Sequence, residues 1–305
     1  MKLFKSKTDQ KLPKKQTKAK LGFENLEDRR LMAGSVDLDG GTLRIEGTSA
    51  NDTVQVQYYQ NDSNYIQVSR SHSGHTHTRY FRASDVDLVQ FSGKDGNDYF
   101  SNFTSIRSYA NGGNGNDTLI GGSNRDILAG DGGNDQLWGR GGNDSIYGAA
   151  GNDFMVGGSG NDYMHGAAGN DTIFGISGYN TVYGGFGDDY LVGGSQNDLM
   201  FGGSGNDQMW GKDGADNMYG DAGFDTIQGG NGNDFMRGGG DRDLMYGQAG
   251  HDNMYGDSGN DYLNGGSGND NMWGGAGRDY FNGGSGYDRA RDWYFEGIYS
   301  VESKY

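Results

Sequence analysis

Aspartate recurs at every ninth position over more than half of this 305-residue chain. Between Gly112 and Arg291 the sequence divides, without an insertion, into twenty nine-residue units such as GGSGNDYMH at 157–165. The sixth residue is Asp in nineteen of these units, and Asn180 is the exception. Carboxylates and the exposed carbonyl oxygens of Gly-rich turns are the ligands that calcium prefers. The spacing therefore predicts multiple Ca²⁺ sites.

These sites require carboxylates from neighbouring turns. If two units close one coil, aspartates eighteen positions apart, such as Asp144 and Asp162, face a shared ion. A nearly complete earlier unit, GKDGNDYFS at 93–101, adds one aspartate. The predicted metal ligands are Asp98, Asp117, Asp126, Asp135, Asp144, Asp153, Asp162, Asp171, Asp189, Asp198, Asp207, Asp216, Asp225, Asp234, Asp243, Asp252, Asp261, Asp270, Asp279 and Asp288. The alternative is that these aspartates only form turns, which leaves the fixed frame unexplained.

Short turns and strands must position these carboxylates. The first six residues of each unit predict a turn, because Gly, Asn and Asp tolerate left-handed backbone. The last three predict a short strand with one buried side chain. Position eight is large and apolar in nineteen units, from Leu119 to Phe281, and Ala290 is the exception. A period this regular predicts an all-β solenoid, here of about ten 18-residue coils.

Charge and composition divide the chain into a basic leader and an acidic body. Residues 1–30 hold ten Lys/Arg and four Asp/Glu, a net charge of +6; the whole chain carries −16, so the remaining 275 residues carry −22. An acidic body favours cations and disfavours nucleic acid as a partner. The absence of Cys excludes disulfides and thiolate metal sites. No segment is apolar enough to predict a transmembrane span.

Four regions are predicted from these patterns. Residues 1–34 are a basic, disordered leader or export segment. Residues 35–111, which contain alternating stretches such as TVQVQYY, are a small N-terminal β cap with degenerate repeats. Residues 112–291 are the repeat solenoid, and residues 292–305 are a C-terminal cap.

The nine-residue units resemble the calcium-binding nonapeptide of RTX, or hemolysin-type, proteins. The resemblance covers residues 112–291 and implies a parallel β-roll, secretion, and calcium ions held between turns by the position-six aspartates. Four turns depart from the family's pattern. Asn124, Gln196 and Asp241 replace the fourth-position glycine, and Asn180 replaces the carboxylate, which puts the sites at those turns in doubt.

A second resemblance concerns the leader. Residues 22–33, GFENLEDRRLMA, resemble the LEPR-XLL type of leader of some bacterial surface proteins, with Asp28 and Met32 as departures. The alternative is a short amphipathic helix that caps the first coil. Together with the calcium repeat, the leader implies an extracellular or cell-surface location. The export route and any cleavage of residues 1–33 stay open.

Two other clusters could do more than support the fold. His72, His75 and His77 could share a transition metal, but nearby arginines disfavour a cation and we expect an exposed hairpin loop. Position nine is aromatic in ten units. Along one side of the roll it reads Tyr147, His165, Tyr183, Phe201, Tyr219, Arg237, Tyr255 and Trp273. We expect these outward residues to stabilise the sheet; the alternative is a flat platform for polysaccharide or protein.

Three functions are compatible with these features. The preferred one is a secreted or cell-surface calcium-binding protein that folds on calcium and acts as a structural or adhesive rod. The second is a carbohydrate-binding module that uses the aromatic row. The third is a polysaccharide-modifying enzyme. Because the chain contains no nucleophile elbow, zincin motif or phosphate loop, we expect no enzymatic activity. Expected partners are calcium and polysaccharide or cell-surface and matrix components.

Overall fold

The computed structural model describes residues 34–60 and 62–292, together with the backbone of residues 298–299. This part of the chain is all β except for one 3-10 turn at Ala83–Asp85. Its strands are β1 (Val36–Asp39), β2 (Thr42–Glu46), β3 (Asp52–Tyr59), β4 (Asp62–His72), β5 (His75–Arg82), β6 (Leu88–Asp95), β7 (Tyr99–Phe103), β8 (Ser108–Asn114), β9 (Thr118–Ile120), β10 (Ile127–Gly132), β11 (Gln136–Gly141), β12 (Ser145–Ala150), β13 (Phe154–Ser159), β14 (Tyr163–Ala168), β15 (Thr172–Ser177), β16 (Thr181–Phe186), β17 (Tyr190–Ser195), β18 (Leu199–Ser204), β19 (Gln208–Asp213), β20 (Asn217–Ala222), β21 (Thr226–Asn231), β22 (Phe235–Gly240), β23 (Leu244–Ala249), β24 (Asn253–Ser258), β25 (Tyr262–Ser267), β26 (Asn271–Ala276), β27 (Tyr280–Ser285), β28 (Arg289–Arg291) and β29 (Ile298–Tyr299). Across these residues no helix has the length and apolarity needed to cross a bilayer.

Successive repeat strands alternate between two parallel sheets. From β6 onward, even-numbered strands up to β28 lie in one sheet, and odd-numbered strands up to β27 lie in the other. Each strand pairs in parallel with the strand two further along, and from β8 onward the register is eighteen residues: Leu128 pairs with Ile146, and Leu137 with Met155. The predicted all-β solenoid is confirmed, with about eleven turns.

In the repeat region, the core consists of the position-eight side chains between the two sheets. Leu119 at one end and Met272 near the other are at most 1% exposed, as are the position-eight residues between them. Nine of these residues are Met, which adapts to irregular gaps. Phe281 near the C-terminal end is only partly buried. Each coil therefore buries just two large side chains, and the core is thin.

The strands are longer, and the turns shorter, than the repeat pattern predicts. Strand β11 spans six residues, Gln136–Gly141, and only residues 142–144 remain for the turn. The prediction of a six-residue turn is wrong because the position-one glycine belongs to the strand. The left-handed backbone lies instead at position two, even where that residue is Ala149 (φ 85°) or Ile176 (φ 82°). Position four is left-handed as predicted, for example Gly142 at φ 124°.

The N-terminal strands extend both sheets. Strand β2 pairs in parallel with β6, and β3 with β7, while β1 pairs with β2 in antiparallel fashion. Strands β3, β4 and β5 form an antiparallel meander at the end of the second sheet. The boundary predicted between residues 111 and 112 falls inside β8, and the sheet continues through it. The predicted leader, including residues 22–33, lies outside the described residues.

Candidate metal centre

The position-six side chains form two continuous rows, one at each edge of the solenoid. In each row the backbone N–H of one residue donates to Oδ1 of the residue one coil further on, as between Asp144 and Asp162 at 2.9 Å. The first Asp ladder is Asp52, Asp98, Asp117, Asp135, Asp153, Asp171, Asp189, Asp207, Asp225, Asp243, Asp261 and Asp279. The second Asp ladder is Asp126, Asp144, Asp162, Asn180, Asp198, Asp216, Asp234, Asp252, Asp270 and Asp288. The predicted pairing of aspartates eighteen positions apart is thus present in the fold.

The second carboxylate oxygen of these aspartates, Oδ2, has no hydrogen-bond partner in most of the repeats. In nineteen aspartates this atom is buried and has no hydrogen-bond partner. These nineteen are the predicted ligands other than Asp126. Buried polar atoms in native proteins almost always have a partner, and an unpaired buried carboxylate is especially costly. A row of such atoms therefore indicates a partner that the protein itself does not supply.

The position-one glycine makes room for this oxygen. A Cβ atom added to Gly139 would lie 2.3 Å from Oδ2 of Asp144 and 2.6 Å from the carbonyl oxygen of Gly157, one coil further on. The carboxylate and the next coil's carbonyl therefore face the same space beside the glycine Cα. This close approach explains why a residue inside a strand is Gly in all twenty units.

Burial acts directly on the charge of these groups. It raises the pKa of Asp162 from 3.8 to about 6, that of Asp144 to about 7 and that of Asp243 to about 8. The backbone N–H that each carboxylate accepts lowers the pKa but does not offset burial, and neighbouring carboxylates raise the pKa of Asp144 and Asp243 further. Without a cation the ladders resist ionisation near neutral pH.

Asp52, at the start of the first ladder, shows what satisfies such a site. Its Oδ2 accepts hydrogen bonds from the backbone N–H (2.7 Å) and hydroxyl (2.9 Å) of Thr48. Its Oδ1 accepts one from the Arg70 guanidinium at 3.0 Å. Here the protein supplies both a positive charge and two donors. The remaining carboxylates of the first ladder have only the backbone donor to Oδ1.

Asp126 differs from the other predicted ligands. Both of its oxygens are bonded: Oδ2 accepts the N–H of Gly122 at 2.6 Å, and Oδ1 accepts the hydroxyl of Ser108 at 2.7 Å. In this turn neither Gly122 at position two nor Asn124 at position four has left-handed backbone, and the N–H of Gly122 points at the carboxylate. The geometry at Asp126 does not match that of the other nineteen.

At Asn180, a side-chain amide donor stands where the other repeats have a carboxylate oxygen. Its Nδ2 donates to the carbonyl oxygen of Gly178 at 3.2 Å and to that of Gly193 at 3.4 Å. Gly178 is position four of the same turn, and Gly193 is position one of the next coil. The space beside Oδ2 is therefore lined by carbonyl oxygens from two successive coils, and at Asn180 the amide donates a hydrogen bond to each of them.

The donor set consists of hard oxygens. Each turn offers one carboxylate, with carbonyl oxygens of its own turn and of the next coil close by. Between Gly34 and Asp292, in the part that the structure describes, no group of three or more His, Cys, Asp or Glu side chains is placed to hold a metal. A bound ion must therefore take most of its ligands from the backbone, which suits calcium's tolerance of six to eight oxygens in flexible geometry.

Among the described residues, the three histidines are not placed as a group that could hold a metal ion. His72 and His75 face each other across the two-residue turn of the β4–β5 hairpin. His72 Nδ1 lies 3.3 Å from the Thr48 hydroxyl, and His75 Nδ1 lies 3.2 Å from the carbonyl oxygen of Ser73. His77 is exposed on the same hairpin. The cluster is a surface hairpin, as expected.

The aromatic row has the predicted order, with its members in register along the sheet of even-numbered strands. From Tyr183 to Tyr219 the rings stack face to face: Tyr183 and Phe201 are 4.8 Å apart at 5°, and Phe201 and Tyr219 are 4.9 Å apart at 11°. Position-seven rings such as Tyr163, which the sequence interpretation omitted, pack beside the row. Since stacked rings cover each other's faces, this geometry supports a role in stabilising the sheet.

The fold and its two acidic edges define the class: a parallel β-solenoid built from Gly- and Asp-rich nonapeptides. The family model of the RTX calcium-binding nonapeptide repeat matches the chain across residues 111–290. The chain belongs to this family, and the resemblance seen in the sequence is confirmed. A comparison with curated proteins found no match. The resemblance of residues 22–33 to a surface-protein leader stays a prediction.

Proposed function

We propose that this protein binds calcium ions along both edges of its solenoid, with the two Asp ladders as the side-chain ligands. The observation that carries the proposal is the set of nineteen buried Oδ2 atoms without a hydrogen-bond partner. Asp52, Asp126 and Asn180 provide an internal comparison, because at each of them protein groups take the place of a cation. The ligand set we propose is therefore the predicted one without Asp126.

Calcium fits these turns better than magnesium does. Magnesium demands near-ideal octahedral geometry and retains several waters, whereas calcium accepts more oxygens at longer and more variable distances. Oδ2 of Asp144 and the carbonyl oxygen of Gly157 both face the space beside the Gly139 Cα, so an ion there would meet protein oxygens directly. The carbonyls come from separate coils, so their arrangement follows the stacking of the coils.

Calcium binding and folding are one process in this proposal. The core contains two large side chains per coil, and the stacked turns align buried carboxylates that repel one another. A cation removes that repulsion and joins neighbouring coils. Its binding free energy then contributes directly to folding free energy. Sites in extracellular modules bind calcium at about 10⁻⁴–10⁻³ M, so the chain would stay unfolded inside the cell and fold after export.

The folded product is a rod with a structural or adhesive role at the cell surface or in the matrix, and without catalytic activity. The parallel stacking of coils extends the described solenoid along one axis. Both outer faces carry aromatic rings that contact one another between coils, for example Tyr183 with Phe201 and Tyr190 with Trp210. A rod of this kind is suited to holding partners at a fixed distance and to attaching to a surface.

Calcium titration of the full chain tests the proposal. Circular dichroism should show little β structure in excess chelator at neutral pH and a cooperative gain on adding calcium, with magnesium ineffective at the same concentration. Equilibrium dialysis should count several ions per chain, and small-angle scattering should show an elongated particle only with calcium. A full β signal in excess chelator would refute the coupling of calcium to folding.

A further inference from the structure

Two exposed arginines lie beside the first Asp ladder near its C-terminal end. Position five of the repeat, next to each ladder residue, is Asn in eleven of twenty units, but Arg242 and Arg278 occupy it two coils apart. With strands about 4.8 Å apart, their backbones are about 9.6 Å apart along the solenoid axis. Within the described part of the chain neither guanidinium forms a hydrogen bond or an ion pair, whereas the nearby Arg237 pairs with Asp257. Two such cations in an acidic body indicate a site for anionic groups.

Both arginines line one cleft of about 560 Å³, a size within the range of about 300–1,000 Å³ found for small-molecule sites. Between them lies Asn260, whose Oδ1 accepts the backbone N–H of Arg278 at 2.8 Å, so its Nδ2 is the group left to donate to a ligand. Tyr262 and Tyr280 also line the cleft; their rings stack at 5.2 Å and 7°, and Tyr280 is 62% exposed. The cleft therefore offers two guanidinium groups, an amide and two tyrosine side chains along three successive coils.

Calcium changes the net charge of the protein around this cleft. The chain carries −16 at pH 7, so more than eight bound Ca²⁺ ions, each adding +2, give it a net positive charge. Nineteen carboxylates have an unpaired Oδ2 for such ions, and one of them, Asp261, also borders the cleft. The loaded chain would then attract polyanions that the calcium-free chain repels. This attraction rests on the proposed calcium binding.

We propose that this cleft of the calcium-loaded protein binds an acidic oligosaccharide, with one anionic group at Arg242 and another at Arg278. A guanidinium presents parallel N–H donors that match the oxygens of a carboxylate or a similar oxyanion. Sugar hydroxyls between the two anionic groups can accept from Nδ2 of Asn260 and exchange hydrogen bonds with the tyrosine hydroxyls. Single-stranded nucleic acid fits less well, because its bases stack on free aromatic faces, and Tyr262 and Tyr280 are stacked on each other.

Isothermal titration of the calcium-loaded full chain tests this site. The probes are hexagalacturonate, a sulfated carrageenan hexasaccharide, neutral maltohexaose and a single-stranded DNA hexamer, and each is also titrated into the calcium buffer alone to subtract its own calcium binding. At least one acidic glycan should bind at least about tenfold more tightly than maltohexaose and the DNA. The two acidic probes distinguish carboxylate from sulfate. Absence of heat with both acidic glycans, equal binding of maltohexaose, or tighter binding of the DNA would overturn the proposal.

Charge-removal variants locate the binding. Arg242→Gln and Arg278→Gln should each weaken the acidic glycan by about tenfold, since each removes one charge-assisted contact. Arg125→Gln is the matched control, because it removes the same charge at position five beside the second Asp ladder. It should change the affinity by less than about twofold. An equal loss in Arg125→Gln would assign the effect to net charge and not to the cleft.

Two measurements on the same samples keep this test separate from that of calcium binding. Equilibrium dialysis counts the bound ions, and circular dichroism shows whether the solenoid is folded. A folded, calcium-loaded chain that binds neither acidic glycan would overturn the cleft proposal alone. Glycan binding of equal strength in excess chelator would contradict the dependence on calcium.

Discussion

The side-chain amide of Asn180 donates a hydrogen bond to the carbonyl oxygen of Gly193 across 3.4 Å. In the other regular turns the corresponding atom is an unpaired aspartate oxygen. The amide therefore places an N–H where the proposed cation would meet the same carbonyl, and this turn is complete without a metal. The second Asp ladder is divided at this point, between Asp162 and Asp198.

Replacing Asn180 with Asp should repair the division. Asn180→Asp removes the donor to Gly178 and Gly193 and supplies a second carboxylate oxygen. We expect about one more calcium ion per chain and a lower calcium concentration at the folding midpoint, measured by equilibrium dialysis and circular dichroism. Asn161→Asp is the control, because it makes the same chemical change at an exposed position five. An unchanged ion count in Asn180→Asp would contradict the assignment.

The reverse substitution in the intact first ladder should have the opposite effect. Asp207→Asn keeps Oδ1 as acceptor for the N–H of Asp189 at 2.8 Å but replaces the unpaired Oδ2 with an amide. We expect one ion fewer per chain and a higher calcium midpoint, because coils depend on their nearest neighbours. Asp213→Asn, at an exposed position three, removes the same charge as a control. Equal midpoints for the two variants would count against the ladder as the calcium site.

The solenoid could be predicted from the sequence because the signals that define it are periodic. The buried column from Leu119 to Met272, the aspartate pairing at eighteen residues and the order of the aromatic row all follow from one nine-residue frame. Strand length does not follow, since Gly139 reads as a turn residue. Its reason for being glycine is contact with Asp144 and Gly157, which only the folded stack creates.

Two other features could not be predicted from the sequence, for related reasons. Position two is left-handed but is occupied by residues as different as Ala149, Ile176 and Lys212, so no residue type marks it. The position-five asparagines are turn formers, yet many also accept a backbone N–H from the next coil, as Asn116 does from Asn134 at 2.8 Å. Both features depend on the coils that stack on either side. Local backbone propensity carries no information about those coils.

A methyl group added at position one should disrupt one proposed calcium site and the stacking of the two coils that form it. Gly139→Ala would place Cβ 2.3 Å from Oδ2 of Asp144 and 2.6 Å from the Gly157 carbonyl, so the turn must shift. Overpacking of this kind costs about 1–3 kcal/mol. Denaturant unfolding at saturating calcium should show that loss. Gly132→Ala is the matched control at an ordinary backbone conformation, where the nearest atom is 3.5 Å away; a similar loss there would remove the explanation.

The calcium-free chain should respond to pH in the opposite sense to most acidic proteins. The pKa values of Asp162, Asp144 and Asp243 are raised by burial from 3.8 to about 6, 7 and 8. The folded state therefore binds more protons than the unfolded state above pH 3.8, so stability is fully present below that value and is lost as pH rises through the folded pKa values. A proton then replaces calcium as the neutralising partner.

In excess chelator, the β signal in circular dichroism should accordingly be larger at pH 5.5 than at pH 8. The lower pH lies at about the start of these titrations, where the carboxyl groups of the folded state are still mostly protonated. With calcium present, acidification should raise the calcium concentration at the folding midpoint, because protons and calcium compete for the same carboxylates. Asp213→Asn, which alters an exposed carboxylate outside the ladders, should leave both trends intact. A chelated chain that is equally unfolded at both pH values would show that desolvation of the ladders is not what opposes folding without calcium.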